Sequence, residues 1–333
     1  MPNQQKGFAI LPLIIIIALV LGFGFFFLQK SSDKPQTSAP QAEKSEQVKQ
    51  EKFEWKEGGM AIVGKFADAD IVDLGDGKFR MYYSIQPEVS GNKLEVYSST
   101  STDGKNWTKE LGVRKTFSTF PDVVKLKDDS FRMYFQNSGV IKSAKSADGL
   151  TWTDEPGIRI DTAENGGLKL ENVAATTTTI LPDGTYLMVY RGHINERYPE
   201  KTPNNYMQLL LYATSLDGLT FDKKGIALDS RTNKTLMGLT DGPEFVKWDN
   251  GQLRLYFWSY SGVYHVVYEN GKFSTDPLFD YTVKDPNAPP PPLLGGPNFP
   301  PNPPGDPTIA KIGQTYFMYY GQPSGIHFAT LAE

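Results

Sequence analysis

The 333-residue chain contains no cysteine. That absence excludes disulfides, thiolate metal sites and cysteine nucleophiles together. Histidine is almost as scarce. His193, His265 and His327 are the chain's three, and their spacing forms no ligand set, so no metal ligands are assigned. A strong charge of one sign is also missing: the net charge is −4. Without a basic stripe, nucleic acid is not an expected partner. Neither a Gly-x-Ser-x-Gly elbow nor a phosphate-cradling glycine loop occurs, which sets aside serine hydrolase and nucleotide chemistry.

Charge is missing altogether from residues 8–28, an apolar run. As a helix this run is about 30 Å long, the thickness of a bilayer core. No small-residue cleavage site follows at Gln29-Lys30-Ser31-Ser32, so residues 1–30 are expected to be an uncleaved, single-pass membrane anchor. Lys6 precedes the run and Lys30 and Lys34 follow it, so flanking charge does not set its orientation. Long domains cross regardless of such charge, and the following domain is expected outside the cytoplasm. Residues 31–52 are Gln, Ser, Lys and Glu with almost nothing apolar. Such a segment cannot offset its ordering entropy and reads as a disordered tether.

With 31 Gly, 24 Pro and 13% aromatics in the chain, the remainder reads as all-β and rich in turns. One stretch sets its plan: Asp241-Gly242-Pro243-Glu244-Phe245-Val246, an Asn250-Gly251 turn, then Leu253-Arg254-Leu255-Tyr256. Asn-Gly takes the positive φ angles of a tight hairpin turn, so two strands pair across it. The pattern recurs over residues 68–83, 121–135, 177–190 and 306–320. One such unit cannot bury its own faces, so five predict the blades of a closed ring.

The first three units are each followed by a second repeat. These are Ser101 to Trp107 around Asp103-Gly104, Ser146 to Trp152 around Asp148-Gly149, and Ser215 to Phe221 around Asp217-Gly218. A worn copy runs from Tyr268 to Phe273. Ser and Asp side chains can bond the turn amides, and the aromatic can pack on a neighbouring sheet. Each copy therefore predicts the outer hairpin of a four-stranded blade. The last unit lacks one. Phe53-Glu54-Trp55-Lys56-Glu57 matches Trp107-Thr108-Lys109-Glu110 in kind, so the N-terminal segment is expected to complete the last blade. Residues 53–333 then form one five-bladed β-propeller, expected to be a monomer.

The inner strands of a propeller all start on one face around the axis. Those starts are Asp68 and Asp70, Asp122, residues 175–177, Asp241 and Glu244, and Asp306. A strand start needs no acid for its own stability, yet carboxylates recur at four of the five. Crowded like charges raise each other's pKa, which lets one carboxyl act as an acid while another stays ionised. Asp70, Asp122 and Glu244 share one register, which equally suits a backbone cap repeated between blades, and Asp306 reads one residue out of register. Insertions at 157–173, 191–206, 226–239 and 285–304 open on the same face, as functional walls do. A lone histidine near the axis could help hold a structural Ca2+; no other cofactor is expected.

Three blade openings carry a family resemblance: Ala67-Asp68-Ala69, Phe120-Pro121-Asp122, and Thr240-Asp241-Gly242-Pro243 ahead of Phe245-Val246-Lys247. Together they resemble the five-bladed propeller glycosidases, the arabinanase, β-xylosidase, levansucrase and invertase group, and most of all glycoside hydrolase family 43. The resemblance spans residues 53–333. It implies a carbohydrate substrate, with Asp68 as the general base that activates water and Asp241 at the position of the general acid. Two departures stand out. The family has Glu at the acid position, and Glu244 is the alternative here. The third blade opens Ala174-Ala175-Thr176-Thr177, without the family's pKa-tuning Asp; Glu171 or Asp122 could stand in. Asp70, Arg191, Asp306 and Glu171 are expected to contact substrate, although for Arg191 a surface salt bridge competes.

The function expected is a membrane-anchored, outward-facing glycoside hydrolase acting on poly- or oligosaccharides. The alternatives are a glycan-binding propeller without catalysis and a sialidase-like enzyme. The Ser-x-Asp-Gly-x-x-Trp hairpins resemble those of sialidases, which also need an arginine triad.

Overall fold

The computed structural model describes residues 53–86, 94–199, 202, 207–283 and 303–331. The expected anchor (1–30) and tether (31–52) lie outside these residues. Among the described residues no helix is long and apolar enough to cross a membrane.

Strand β1 (Trp55–Val63) comes first. Blade one holds β2 (Phe66–Gly75), β3 (Lys78–Ile85), β4 (Glu95–Ser101), β5 (Thr108–Lys109) and β6 (Lys115–Thr116). Blade two holds β7 (Thr119–Lys125), β8 (Phe131–Asn137), β9 (Val140–Ser146) and β10 (Thr153–Ile160). Blade three holds β11 (Leu170–Ile180), β12 (Tyr186–Ile194), β13 (Met207–Ser215) and β14 (Asp222–Leu228). Blade four holds β15 (Asp241–Lys247), β16 (Leu253–Ser259), β17 (Gly262–Glu269), β18 (Lys272–Phe273) and β19 (Leu278–Tyr281). Blade five holds β20 (Gly305–Ile312), β21 (Thr315–Gln322) and β22 (Gly325–Leu331).

Each blade is antiparallel and runs outward in chain order, except that β1 completes blade five by pairing with β22. Trp55 sits opposite Leu331 and Val63 opposite Gly325. The N-terminal segment thus closes the ring as its sequence predicts. The inner strands β2, β7, β11, β15 and β20 pack in that order, and β20 returns to β2.

The apolar core lies between blades. Val72 and Tyr82 of blade one pack with Val123, Met133 and Phe135 of blade two. Val189 and Leu210 of blade three meet Leu255 and Phe257 of blade four. Val246 and Trp248 of blade four meet Tyr316, Met318 and Tyr320 of blade five, with Trp55 in the same cluster. Burial of each such side chain contributes about 1.5–3 kcal/mol, so no blade is stable without its neighbours.

The second repeat forms a latch between blades on the face opposite the inner-strand starts. Asp148 accepts hydrogen bonds from the Leu150 and Thr151 amides, each at 2.8 Å. The turn so held offers its carbonyls to the preceding blade: Arg80 Nη1 donates to Asp148 O at 2.9 Å and the Tyr82 hydroxyl to Gly149 O at 2.8 Å. Arg132 and Tyr134 repeat both contacts on Asp217 and Gly218, at 2.9 Å each. Trp152 packs edge-on against Tyr82 at 5.8 Å. Among the described residues blade five has no such turn, and there Phe53 stacks on Trp248 at 4.6 Å beneath the Arg254 guanidinium. Residues 157–160 and 170–173, read as loop from sequence, are strand: they finish β10 and begin β11. Pairing of Asn172 with His193 and Val173 with Gly192 carries the blade-three hairpin above the disc.

Candidate active site

All five inner strands open with one device. A single residue takes a left-handed φ: Asp68 (55°), Phe120 (51°), Ala175 (46°), Gly242 (56°) and Asp306 (46°). At that point each ladder slips by one residue against the second strand. A bulge of this kind bends the strand and re-aims its side chains. The five positions form a first ring about the axis. Asp306, read from sequence as one residue out of register, is in fact the equivalent of Asp68. Asp241 precedes the bulge residue of its own strand.

Two residues further along, about 6–7 Å deeper at strand rise, a second ring contains Asp70, Asp122, Thr177, Glu244 and Thr308. They face Tyr82, Tyr134, Val189, Tyr256 and Tyr319 on the second strands. The shared register of Asp70, Asp122 and Glu244 is therefore real. The axial cavity, lined by Asp68, Asp70, Glu244 and Asp306 among others, measures about 30 Å³. That is room for a couple of waters, so a larger ligand must lie over the mouth.

The first ring is electrostatically divided. Asp68 is buried and accepts hydrogen bonds from the Ser84 hydroxyl, the Phe120 amide and the Asp306 carboxyl. Burial pushes it up to about 6, with the charge of Asp241 adding to the rise and the three hydrogen bonds opposing it. Asp306 accepts from Trp258 Nε1 at 3.1 Å. Loss of water and then the charges of Asp68 and Asp241 raise it well above the usual carboxylate range. Two carboxyls crowded in this way do not both ionise readily. Asp241 differs: Arg191 Nε donates to it at 3.2 Å, and the Gly242 amide at 2.9 Å. Only glycine fits at 242. Its φ is left-handed, and a Cβ there would lie 2.6 Å from both the Cα and Oδ1 of Asp306.

The second ring braces the blades. Asp70 accepts from the Val123 amide of blade two at 2.8 Å. Asp122 accepts from the Thr178 hydroxyl of blade three at 2.7 Å and from its amide. Thr177 Oγ1 accepts from the Phe245 amide of blade four at 2.9 Å. Glu244 accepts from the hydroxyls of Thr308 at 3.1 Å and Thr177 at 3.4 Å. Burial pushes Asp122 up to about 7. Asp70 and Glu244 rise for the same reason first, and then from the neighbouring second-ring carboxylates. Asp70, Asp122 and Thr177 each reach one position past their counterpart in the next blade, as the backbone-cap reading of the sequence expects for Asp70 and Asp122, whereas Glu244 bonds its counterpart Thr308 and Thr177 through their hydroxyls.

Of the residues singled out from sequence, Asp68, Asp241, Asp306 and Arg191 meet in the first ring, and Asp70, Asp122 and Glu244 in the second. Glu171 stands on the blade-three wall, 3.7 Å from His193 and with a side chain 44% exposed. The third carboxyl beside Asp68 and Asp241 is thus Asp306, rather than Glu171 or Asp122. Ser84, Trp258 and Asn172 were not singled out. The first two sit on the second strands opposite each bulge, a position marked in sequence only by its distance from the buried tyrosine. His265 is buried against Asp280 at 2.6 Å, and His327 bonds Ser324 at 2.8 Å. None of the three histidines lines the axial cavity. Among the described residues no group of three acidic or histidine side chains is placed to hold a metal ion.

No protein-family model and no curated protein sequence matches the chain. Solved structures do. One, described as showing that the GH130 family of mannoside phosphorylases contains glycoside hydrolases targeting β-1,2 mannosidic linkages in Candida mannan, superposes with a TM-score of 0.57. It is 13% identical over 85% of this chain and 94% of its own. A GH43 enzyme from Xanthomonas citri complexed with xylose gives 0.54, at 12% identity over 81% and 89%. An α-L-arabinofuranosidase from Clostridium thermocellum gives 0.51, at 16% identity over 77% and 82%. The chain has their fold. At such identities the likeness extends to the five-bladed architecture, and the site must be argued from its own residues.

Proposed function

We propose that the protein is a glycoside hydrolase that cleaves poly- or oligosaccharides across the mouth of the propeller axis. The observation that carries this reading is the division of the first ring: Asp68 and Asp306 are buried carboxyls pushed above the usual range beside each other, while Asp241 is ion-paired with Arg191. Glycosidic hydrolysis needs one carboxyl to protonate the leaving oxygen and a second carboxylate to assist water or stabilise the sugar cation. The Asp68 and Asp306 pair, both of whose carboxyls are raised, supplies the proton. Asp241, ion-paired with the guanidinium, assists the attacking water. The family resemblance implies these two roles the other way round. Pairing with a guanidinium favours the charged form of a carboxylate, so the proton is assigned to the crowded pair rather than to Asp241. Glu244, hydrogen-bonded to two threonines within the brace, is not needed as a substitute acid.

The anchor and tether read from the sequence complete the proposal: a single-pass protein that holds the propeller outside the cytoplasm, a monomer within reach of surface or environmental glycans. A panel of aryl pentosides and hexosides tests the chemistry. Asp68→Asn should lose most on poor leaving groups and least on activated ones, whereas Asp241→Asn should lose on both. Wild-type protein that turns over none of these, nor any oligosaccharide, yet binds a glycan array would establish the non-catalytic reading instead. A sialidase-like reading is less well supported, because Arg191 is engaged by Asp241 rather than presented to a substrate carboxylate.

A further inference from the structure

We propose that Asn172 is a positioning residue of this site, acting on Asp241 through Arg191 and fixing the ring of His193 in a single tautomer. The inference rests on the reading of Asp241 as the charged partner in hydrolysis. It starts from donors and acceptors. A guanidinium has only donors. Arg191 Nη1 lies 2.8 Å from Asn172 Oδ1, so that atom must be the amide oxygen and the side chain cannot be flipped. The other end of the amide, Nδ2, then has only protons to offer. It lies 3.3 Å from His193 Nδ1, whereas the Glu171 carboxylate is 3.7 Å from the same atom, beyond hydrogen-bond reach; Nδ1 therefore accepts from the amide and is the unprotonated nitrogen. The neutral ring carries its proton on Nε2. A cationic ring would set an Nδ1 proton against the amide protons.

The fold places these groups in line. Ala174 pairs with Arg191 and Asn172 with His193 on adjacent strands of the blade-three hairpin, rising from the first ring. Arg191 is gripped from below by Asp241 through Nε and from above by Asn172 through Nη1, and two directed bonds fix a planar group. Around His193 stand Arg191, Arg197, Glu171 and Asp241. Burial and then Arg191 push its pKa below the usual value, with Glu171 opposing. At neutral pH the His193 and Glu171 contact is accordingly no ion pair. Asn172 occupies the level above the carboxylate-free blade-three opening, and through Arg191 this blade still acts on the site.

With three histidines in the chain, long-range ¹H–¹⁵N spectra of the full-length protein read each ring directly, with assignment by His193→Gln and His327→Gln. The expected result is His193 with its proton on Nε2 and a pKa below the usual histidine value. Asn172→Asp, nearly isosteric, replaces the amide donor by a carboxylate. It should move the ring proton to Nδ1 and raise the His193 pKa by about one unit or more. Arg191→Met should free the amide and let both tautomers appear. A wild-type ring protonated on Nδ1, or spectra unchanged in Asn172→Asp, would overturn the proposal. In activity, Asn172→Ala should shift the acid limb of kcat/KM to higher pH; a lower rate with an unshifted limb would indicate a merely structural role and also overturn it. The spectra need no substrate, so a wild type without turnover would count against the hydrolase reading while leaving the tautomer test decisive.

Discussion

Aspartates at the two faces of this disc are held in opposite states. On the latch face, exposed Asp148 and Asp217 each accept two backbone amides, at 2.7–2.8 Å. Those bonds pull both down to about 2. On the mouth side, the same residue type in Asp68 and Asp122 is buried, and burial pushes it up to about 6 and about 7. Hydrogen bonds to the charged form favour ionisation, and loss of water opposes it. The latch needs a permanent charge to organise a turn. The mouth crowds carboxyls into buried rings, which is the arrangement expected where protons are to be moved.

The largest expected effect separates the two faces by activity. Asp68→Asn or Asp241→Asn should each lower turnover by roughly 10²–10⁴, the worth of one acid–base group, with no loss in melting temperature for Asp68→Asn and some loss for Asp241→Asn, which leaves the buried Arg191 without its ion pair. Asp148→Asn should leave turnover intact, and equal losses at the two faces would break the comparison. Next comes Gly242→Ala, which forces a side chain into a left-handed conformation and against Asp306. About 1–3 kcal/mol of strain should appear as lower stability together with lower activity; a silent substitution would show that the first ring is not closely packed.

Stability against pH sharpens the same contrast. A carboxyl raised from 3.8 to about 7, as Asp122 is, contributes stability that is full below its unfolded pKa and is lost as pH rises through about 7. For Asp148, lowered to about 2, the sign is reversed: its contribution is present above the unfolded pKa and is lost as pH falls towards 2. The melting temperature should therefore peak in mildly acidic buffer, and Asp122→Asn should flatten the fall on the neutral side. A melting temperature that climbs steadily to pH 8 would contradict this. The smallest effect is the stability loss in Asp148→Asn, about 1 kcal/mol after solvent screening of an exposed group, read as a small drop in urea midpoint.

Much of this was legible in the sequence because it is local. Asp-Gly and Asn-Gly turns, the Tyr82, Tyr134 and Tyr256 strands, and the likeness of Trp55-Lys56-Glu57 to Trp107-Thr108-Lys109 led to five blades and to the closing strand. The register of Asp70, Asp122 and Glu244 could be counted from the buried tyrosines. What could not be counted was the bulge. It adds one residue ahead of the second ring, and in blade three it comes with Ala175, so Asp306 looked displaced when it is the equivalent of Asp68. Pairings across blades were hidden for another reason. Arg191 finds Asp241 fifty positions away, and Trp258 finds Asp306 across forty-eight, distances at which no periodicity operates. Asn172 carries no motif at all; its role follows only from what lies on either side of its amide.

The most direct measurement is a side-chain carboxyl ¹³C titration of ¹³C-aspartate-labelled protein, with Asp68, Asp122 and Asp148 assigned by their Asn variants. All three would be read in one sample, so the latch aspartate serves as the internal control for the mouth. The account predicts midpoints near 6 for Asp68, near 7 for Asp122 and near 2 for Asp148, with the Asp68 transition altered in Asp306→Asn because the two carboxyls act on each other. Asp68 and Asp148 titrating together in the ordinary carboxylate range would contradict it, and the proton donor assigned to the mouth would be lost.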